Sequence, residues 1–124
     1  MSKSSLVTKN LSIINTPQVF LTGKTSTQQT GSLTTAVSQD SASGFITTVN
    51  ATLATQGSAS FVFNNSYISP GCIFIANLQN YSGTGGSAKV SVNNVTQNQA
   101  TITVSNSSTT SALGGGLQIG YHIV

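Results

Sequence analysis

Apolar and polar residues alternate along the second half of the chain, and this period-two pattern constrains the fold more than any other feature. Successive side chains of a β-strand point to opposite faces, so alternation places one face in a core and the other in water. Residues 89–93 and 100–104 show it most clearly, and Phe61 and Phe63 within residues 60–64 share one face. No segment carries the i, i+3, i+4, i+7 apolar stripe of an amphipathic helix. The sequence therefore predicts an all-β protein.

Three strand predictions carry the topology. Residues 89–93 and 100–104 flank a short polar stretch and predict a β-hairpin. Residues 72–78 begin with an apolar run on both faces, a pattern typical of a central strand. The last strand, 117–124, sends four apolar side chains to one face: Leu117, Ile119, Tyr121 and Ile123.

A Ser-Pro-Gly turn at 69–71 and glycine-rich stretches at 82–86 and 114–116 separate these strands. Strands that follow one another at such spacing are typical of sandwiches and jelly rolls. The expected architecture is an antiparallel β-sandwich, jelly-roll-like, with an extended N-terminal arm.

The N-terminal half gives weaker signals. Residues 11–14 and 19–21 predict short strands, and residues 45–53 predict one continuous strand. Residues 22–43 are polar and of low complexity, and they predict an arm or long loop with at most one edge strand. We expect an arm over 1–18 and one sandwich domain over 19–124, with no internal boundary.

Charge is almost absent, and this excludes many functions. The chain has one acidic side chain, Asp40, and four basic ones, all lysines, among 124 residues. Paired carboxylates for acid–base catalysis, acidic metal sites and arginine phosphate clamps have no residues to form them. The sequence predicts no enzyme, no cofactor and no metal. Scattered lysines without arginine also argue against nucleic acid as a partner, and no apolar stretch reaches the length of a membrane span.

The few reactive side chains have structural interpretations beside functional ones. His122 is expected on the outward face of the last strand, with a subunit interface as the alternative. Asp40 is expected to cap a polar turn, with a salt bridge to a lysine of a neighbouring subunit as the alternative. Cys72 is the only cysteine and is expected to be a small buried hydrophobe.

A surface of hydroxyl and amide groups offers hydrogen bonds that are neutral and therefore indifferent to ionic strength, unlike exposed ion pairs. Such a surface suits a particle or filament outside a cell. Neutral β-edges also favour strand pairing between chains, so we expect a homo-oligomer.

Residues 59–124 resemble a known class of proteins. The resemblance rests on the segments at 61–65, 80–86, 90–95 and 102–106, and on Ala112–Gly115 before Ile119–Tyr121. In this order they are similar to small β-structured virion proteins of tailed phages and large DNA viruses. These are capsid decoration (cement) proteins or fibre-like proteins. The resemblance implies a jelly-roll-like sandwich, usually a homotrimer, on the outer capsid surface of a virion after synthesis in the host cytoplasm.

The leading hypothesis is a bacteriophage-type capsid decoration protein whose partner is the major capsid protein. Tyr121 and His122 are expected near an oligomer interface. The arm residues expected to contact the capsid are Lys3, Leu6, Lys9, Leu11 and Ile13. Two alternatives stay open: a receptor-binding adhesin with sugar contacts at Asn80, Tyr81 and 82–86, and a filament subunit joined by strand exchange through 1–18.

Overall fold

The computed structural model describes residues 25–124, and this part of the chain is entirely β-structure connected by turns and loops, without a helix. The all-β prediction is confirmed. The ten strands are β1 (Thr25–Gln28), β2 (Val37–Ser38), β3 (Ser43–Thr47), β4 (Ala51–Leu53), β5 (Ser58–Asn64), β6 (Phe74–Tyr81), β7 (Ala88–Thr96), β8 (Gln99–Asn106), β9 (Leu113–Gly115) and β10 (Leu117–Ile123).

The strands form two four-stranded sheets and one small ribbon, and no sheet is closed. The first sheet has the order β1-β3-β10-β6, the second sheet has the order β2-β5-β8-β7, and β4 pairs with β9. Most pairs are antiparallel, but β1 and β2 each join their sheet in parallel, at its edge. The predicted hairpin is confirmed, since β7 and β8 pair antiparallel across a tight turn at Gln97 and Asn98.

Alternation places the core between the two sheets. On β10, Leu117, Ile119, Tyr121 and Ile123 are buried, as the pattern predicts, while the residues between them lie on the outer face. The ring of Phe63, from the second sheet, lies 4.9 Å from Tyr121 and 5.9 Å from Phe74, both on the first sheet. Full burial of such side chains stabilises the fold by about 1.5–3 kcal/mol each.

The central-strand prediction for residues 72–78 is wrong. Among the strands of residues 25–124, β6 pairs with β10 alone and therefore lies at the edge of the first sheet. Ile73 is 62% exposed and Ile75 is 49% exposed, while Phe74 and Ala76 face the core. The apolar run therefore covers one buried face and one outer face.

The strand predicted over 45–53 is divided in two. Its first part is β3 in the first sheet, and its second part is β4 in the small ribbon. Thr48 makes the break: its buried side chain accepts a hydrogen bond from the Leu117 N–H, and its own N–H donates to the Leu117 carbonyl.

The stretch 22–43 contains more structure than the single edge strand expected. Both β1 and β2 lie there, with buried Leu33 and Val37 fixing the connection to the core. Gln29 is buried as well, and its Nε2 donates to the carbonyls of Leu33 and Thr35. The strands predicted at 11–14 and 19–21, and the arm over 1–18, lie outside the described residues.

Candidate interaction surface

The described fold has two ends with different chemistry, which we call the Asp40 end and the Asn106 end. At the Asp40 end, loops from both sheets are joined by hydrogen bonds, such as Asn65 Nδ2 to the Ser41 carbonyl at 2.7 Å and Ile123 N–H to the Ala42 carbonyl at 2.7 Å. The Asp40 end comprises residues 38–42, 64–75, 97–99 and 121–124. The Asn106 end comprises residues 54–57, 80–87 and 106–116.

Exposed apolar side chains gather at the Asp40 end. Of the five large apolar residues that are exposed in the described chain, only Val62 lies elsewhere, on the outer face of the second sheet. The other four are Tyr67, Ile73, Ile75 and Val124. Ile73 and Val124 exchange two backbone hydrogen bonds at 2.9 Å, so the backbones that carry them are neighbours. Clustered exposed apolar side chains mark interaction sites more often than scattered ones do.

The outer face of the first sheet continues this apolar area into a groove. Register places Ser43, His122 and Ile75 in one row across β3, β10 and β6. A groove of about 250 Å³ runs past this row, with Phe45 and Gly120 also lining it. Gly120 keeps the groove open, because a Cβ there would come within 2.8 Å of the Gln79 side chain. The groove gives a partner an apolar surface framed by amides.

The outer face of the second sheet is polar by contrast. Ser60 and Thr103 lie across from each other with their hydroxyl oxygens 2.8 Å apart. Lys89, the one lysine among the described residues, and Ser91 lie exposed on β7. Val62 is the only large apolar side chain exposed on this face. This face presents polar side chains that hydrogen-bond to water, and it exposes little apolar area.

A polar cleft of about 530 Å³ also opens at the Asp40 end. It lies between the segments after β2, after β5 and at the β7–β8 turn. Asp40, the only carboxylate side chain of the protein, lines it and accepts a hydrogen bond from the Ser66 N–H at 2.9 Å. The carboxylate therefore links two loops, besides its expected role in its own turn.

Tyr121 and His122, predicted near an oligomer interface, point in opposite directions. Tyr121 is 5% exposed and packs in the core; its hydroxyl donates to Gln39 Oε1 at 2.8 Å and lies 2.7 Å from Ser41 Oγ. Burial raises the pKa of Tyr121 above its usual value of 10.0, with a smaller contribution from the charge of Asp40. His122 lies on the outer face beside the groove. The interface assignment of both residues stays a prediction, and only His122 has the position for it.

The predicted arm contacts, Lys3, Leu6, Lys9, Leu11 and Ile13, lie outside the described residues. The described chain begins at the Asp40 end: Thr25 pairs with Gly44, and its hydroxyl lies 3.1 Å from Ser41 Oγ. Residues 1–24 therefore precede a strand that starts next to the groove and the cleft.

The sugar contacts expected at the Asn106 end are used within the chain. The Tyr81 hydroxyl lies within 3.1 Å of the carbonyls of Thr84, Gly85 and Gly114, and it accepts a hydrogen bond from the Gly114 N–H. Asn80 Nδ2 donates to Gln118 Oε1 at 2.8 Å. These groups hold loops together and have little capacity left for a ligand.

Sequence reasoning missed the cleft and the apolar groove. Asn64 and Asn98 stand in a chain so rich in asparagine that no signal separates them from loop residues, and the cleft joins segments far apart in sequence. The groove had a signal, Ile75 in the apolar run at 72–78, but such a run also predicts a central strand. Cys72 is half-buried and forms no disulfide.

Comparison with protein-family models, curated proteins and solved structures found no match to this chain. Residues 25–124 contain no cluster of three or more His, Cys, Asp or Glu side chains that could hold a metal ion. Within the same range there is no helix with the length and apolarity to cross a membrane.

Proposed function

We propose that this chain is a structural protein of a virion, a capsid decoration (cement) protein that binds the outer capsid surface by its Asp40 end and stabilises the shell. The observation that carries the proposal is the gathering of exposed apolar side chains at one end of a nearly uncharged surface. A protein with exposed apolar side chains at one end and few charges elsewhere is suited to bind a larger particle through that end and to expose an almost uncharged surface to solvent.

The energetics favour attachment through this end. Apolar area contributes about 25 cal/mol per Å² when it is removed from water, so burying Ile73 and Ile75 supplies binding free energy that salt does not screen. The described residues include one lysine and one carboxylate, and exposed ion pairs contribute little in any case. Attachment of this kind persists at high and low ionic strength.

The connections between strands support a β-sandwich of the jelly-roll type. β3 pairs with β10, and β5, the next long strand, pairs with β8, the long strand before β10. This nested pairing of first with last and second with next-to-last is what a rolled hairpin produces. The chain alternates between the two sheets from β3 through β5 and β6 to β7, as a jelly roll does.

The N-terminal 24 residues supply the second contact in this proposal. Three of the four lysines, Lys3, Lys9 and Lys24, lie in them. A basic segment is attracted to an acidic protein surface, and the described chain starts at the Asp40 end, so segment and groove would meet the same major capsid protein. A homotrimeric knob would multiply the contact by avidity.

The test is deletion of the coding sequence from the genome that carries it, followed by purification of particles with and without the protein. We expect the protein in intact particles, and we expect particles without it to lose integrity at a lower temperature. Particles that never contain the protein, or that withstand heat equally well without it, would overturn the proposal.

Substitutions on the two sheet faces then locate the attachment surface. Ile75→Ser together with Ile73→Ser should reduce occupancy on particles at least about tenfold, because the apolar contribution to binding is lost. Val62→Ser on the second sheet is the matched control and should leave occupancy unchanged. Equal loss in both variants would contradict attachment through the Asp40 end.

A further inference from the structure

The cleft at the Asp40 end holds several polar groups that the protein itself does not use. Among the described residues, nothing donates to Asp40 Oδ2, and the side chains of Ser38, Asn64 and Ser66 form no hydrogen bond. Asn98 uses only its Oδ1, which accepts from Gln97 Nε2. All of these side chains are exposed except that of Asn64, which is half-buried, so their donors and acceptors are open to a ligand.

The cleft walls are fixed before any ligand binds. The Gln39 N–H donates to the Asn64 carbonyl at 3.0 Å, and the Asn65 N–H donates to the Asn98 carbonyl at 2.9 Å. The Ser66 N–H, bonded to Asp40, ties the remaining loop to the first. A ligand therefore meets a shaped site and pays little for ordering the loops.

The open groups match the hydroxyls of a sugar. A carboxylate oxygen accepts hydrogen bonds from hydroxyls, an asparagine amide donates and accepts at once, and serine hydroxyls do both. The cleft volume of about 530 Å³ is in the usual range for small-ligand sites. Tyr67 follows Ser66 and is 55% exposed, and its ring can pack against the apolar face of a sugar ring.

The charge of the cleft restricts the class of sugar. Asp40 is the only carboxylate in the chain, and no lysine among the described residues lines the cleft. An acidic sugar would bring a second carboxylate to the first, which like charges disfavour. A calcium ion would want six to eight oxygen ligands, several of them carboxylates. A neutral saccharide satisfies the site without a charge conflict.

We propose that this cleft binds a neutral saccharide through Asp40, Asn64 and Ser66, with Tyr67 as a stacking surface. The cleft does not include Ile73 or Ile75, but it lies at the same end of the molecule, so we expect a saccharide in the cleft to compete with attachment to a particle.

The experiment is nuclear magnetic resonance on the isotope-labelled full chain with methyl glycosides of glucose, galactose, mannose and N-acetylglucosamine, and with sialic acid. We expect at least one neutral glycoside to shift backbone resonances of residues 38–41, 64–67 and 97–99, and sialic acid to shift none of them. No cleft shift with any neutral glycoside, at concentrations on the order of tens of millimolar, overturns the proposal. Calcium chloride is the second probe, and cleft shifts with calcium but with no sugar overturn it as well.

Variants distinguish binding in the cleft from nonspecific binding to the protein surface. Asn64→Ala and Asp40→Asn should each weaken the sugar at least about tenfold, in the range of a lost hydrogen bond to a ligand hydroxyl. Asn93→Ala, an exposed asparagine on β7 without a side-chain hydrogen bond, is the matched control and should bind like the unaltered protein. Tyr67→Phe should retain binding and Tyr67→Ala should weaken it. Unchanged affinity in Asn64→Ala and Asp40→Asn overturns the assignment.

Discussion

Each end of the molecule contains one asparagine that is 1% exposed, but the two asparagines form different numbers of hydrogen bonds. The Asn106 amide donates to the carbonyls of Leu53, Ala54 and Ser111, and its Oδ1 accepts from the N–H groups of Ser87 and Ser108. The Asn65 side chain makes two hydrogen bonds, to the Ser41 carbonyl and from the Tyr67 N–H. Polar groups at the Asn106 end are thus used inward, while those of the Asp40 cleft stay open outward.

The difference separates a structural end from a binding end. At the Asn106 end, Tyr81 and Asn106 close five segments onto one another and leave few groups for a partner. At the Asp40 end the same residue types line a cleft, beside exposed Ile73 and Ile75. Hydroxyls and amides serve stability or recognition according to whether the chain itself satisfies them.

Replacement of the two asparagines tests this comparison with the largest expected effect. Asn106→Ala removes five hydrogen bonds to backbone groups, of which the Ala54 carbonyl keeps a second partner, the Gly57 N–H. It should lower the free energy of unfolding by about 4 kcal/mol, against about 2 kcal/mol for Asn65→Ala. Urea denaturation of both variants measures it, with Asn93→Ala as a control near zero. A cost for Asn65→Ala that equals or exceeds the cost for Asn106→Ala would break the comparison.

Two glycines show how tightly each end of the molecule is packed. A Cβ on Gly83, at the Asn106 end, would lie 1.7 Å from the Gly114 carbonyl oxygen. Gly83→Ala should therefore lower the free energy of unfolding by about 3 kcal/mol through backbone displacement. Gly71, at the Asp40 end, has nothing within 4 Å of a built Cβ and no positive φ. Gly71→Ala should raise the free energy of unfolding by less than about 1 kcal/mol. Thermal denaturation of both variants measures the two effects, and equal effects would contradict the difference in packing between the two ends.

The smallest expected effect concerns Tyr121, which joins the core to the Asp40 end. Its pKa is raised by burial, so the folded state holds the phenol proton more tightly than the unfolded state does. The stability that Tyr121 contributes is complete below pH 10 and is lost as pH rises through the raised pKa. Unfolding measured in the alkaline range should show this loss in the unaltered protein and in Tyr67→Phe, and a weaker loss in Tyr121→Phe. Identical alkaline profiles in all three would refute the assignment.

Much of the fold could be predicted from the sequence where alternation is strong. β8 and β10 show period two over seven or more residues, and β7 shows it over its first six, and the burial of each face follows directly. β6 was misassigned because an apolar run is the same in a central strand and in an edge strand whose outer face is an interaction surface. The sequence pattern shows that the run is apolar, but it does not show whether another strand of the protein or a partner covers it.

The candidate site was hardly predictable. The Asp40 cleft brings together residues 38–40, 64–66 and 98 through turns whose geometry no local pattern specifies. Asn65 and Asn106 are buried because loop carbonyls converge on them, and a single sequence rich in asparagine does not distinguish these two from exposed ones. Tyr121 fits the alternation on β10, and its inward position follows from that pattern.

The central claim is that the Asp40 end is the attachment end, and hydrogen exchange of the protein free and bound to particles tests it most directly. We expect slower amide hydrogen exchange on binding in residues 66–75 and 121–124, and unchanged exchange in residues 82–87 and 107–112. New protection confined to the Asn106 end, with the Asp40 end exchanging as in the free protein, would contradict it.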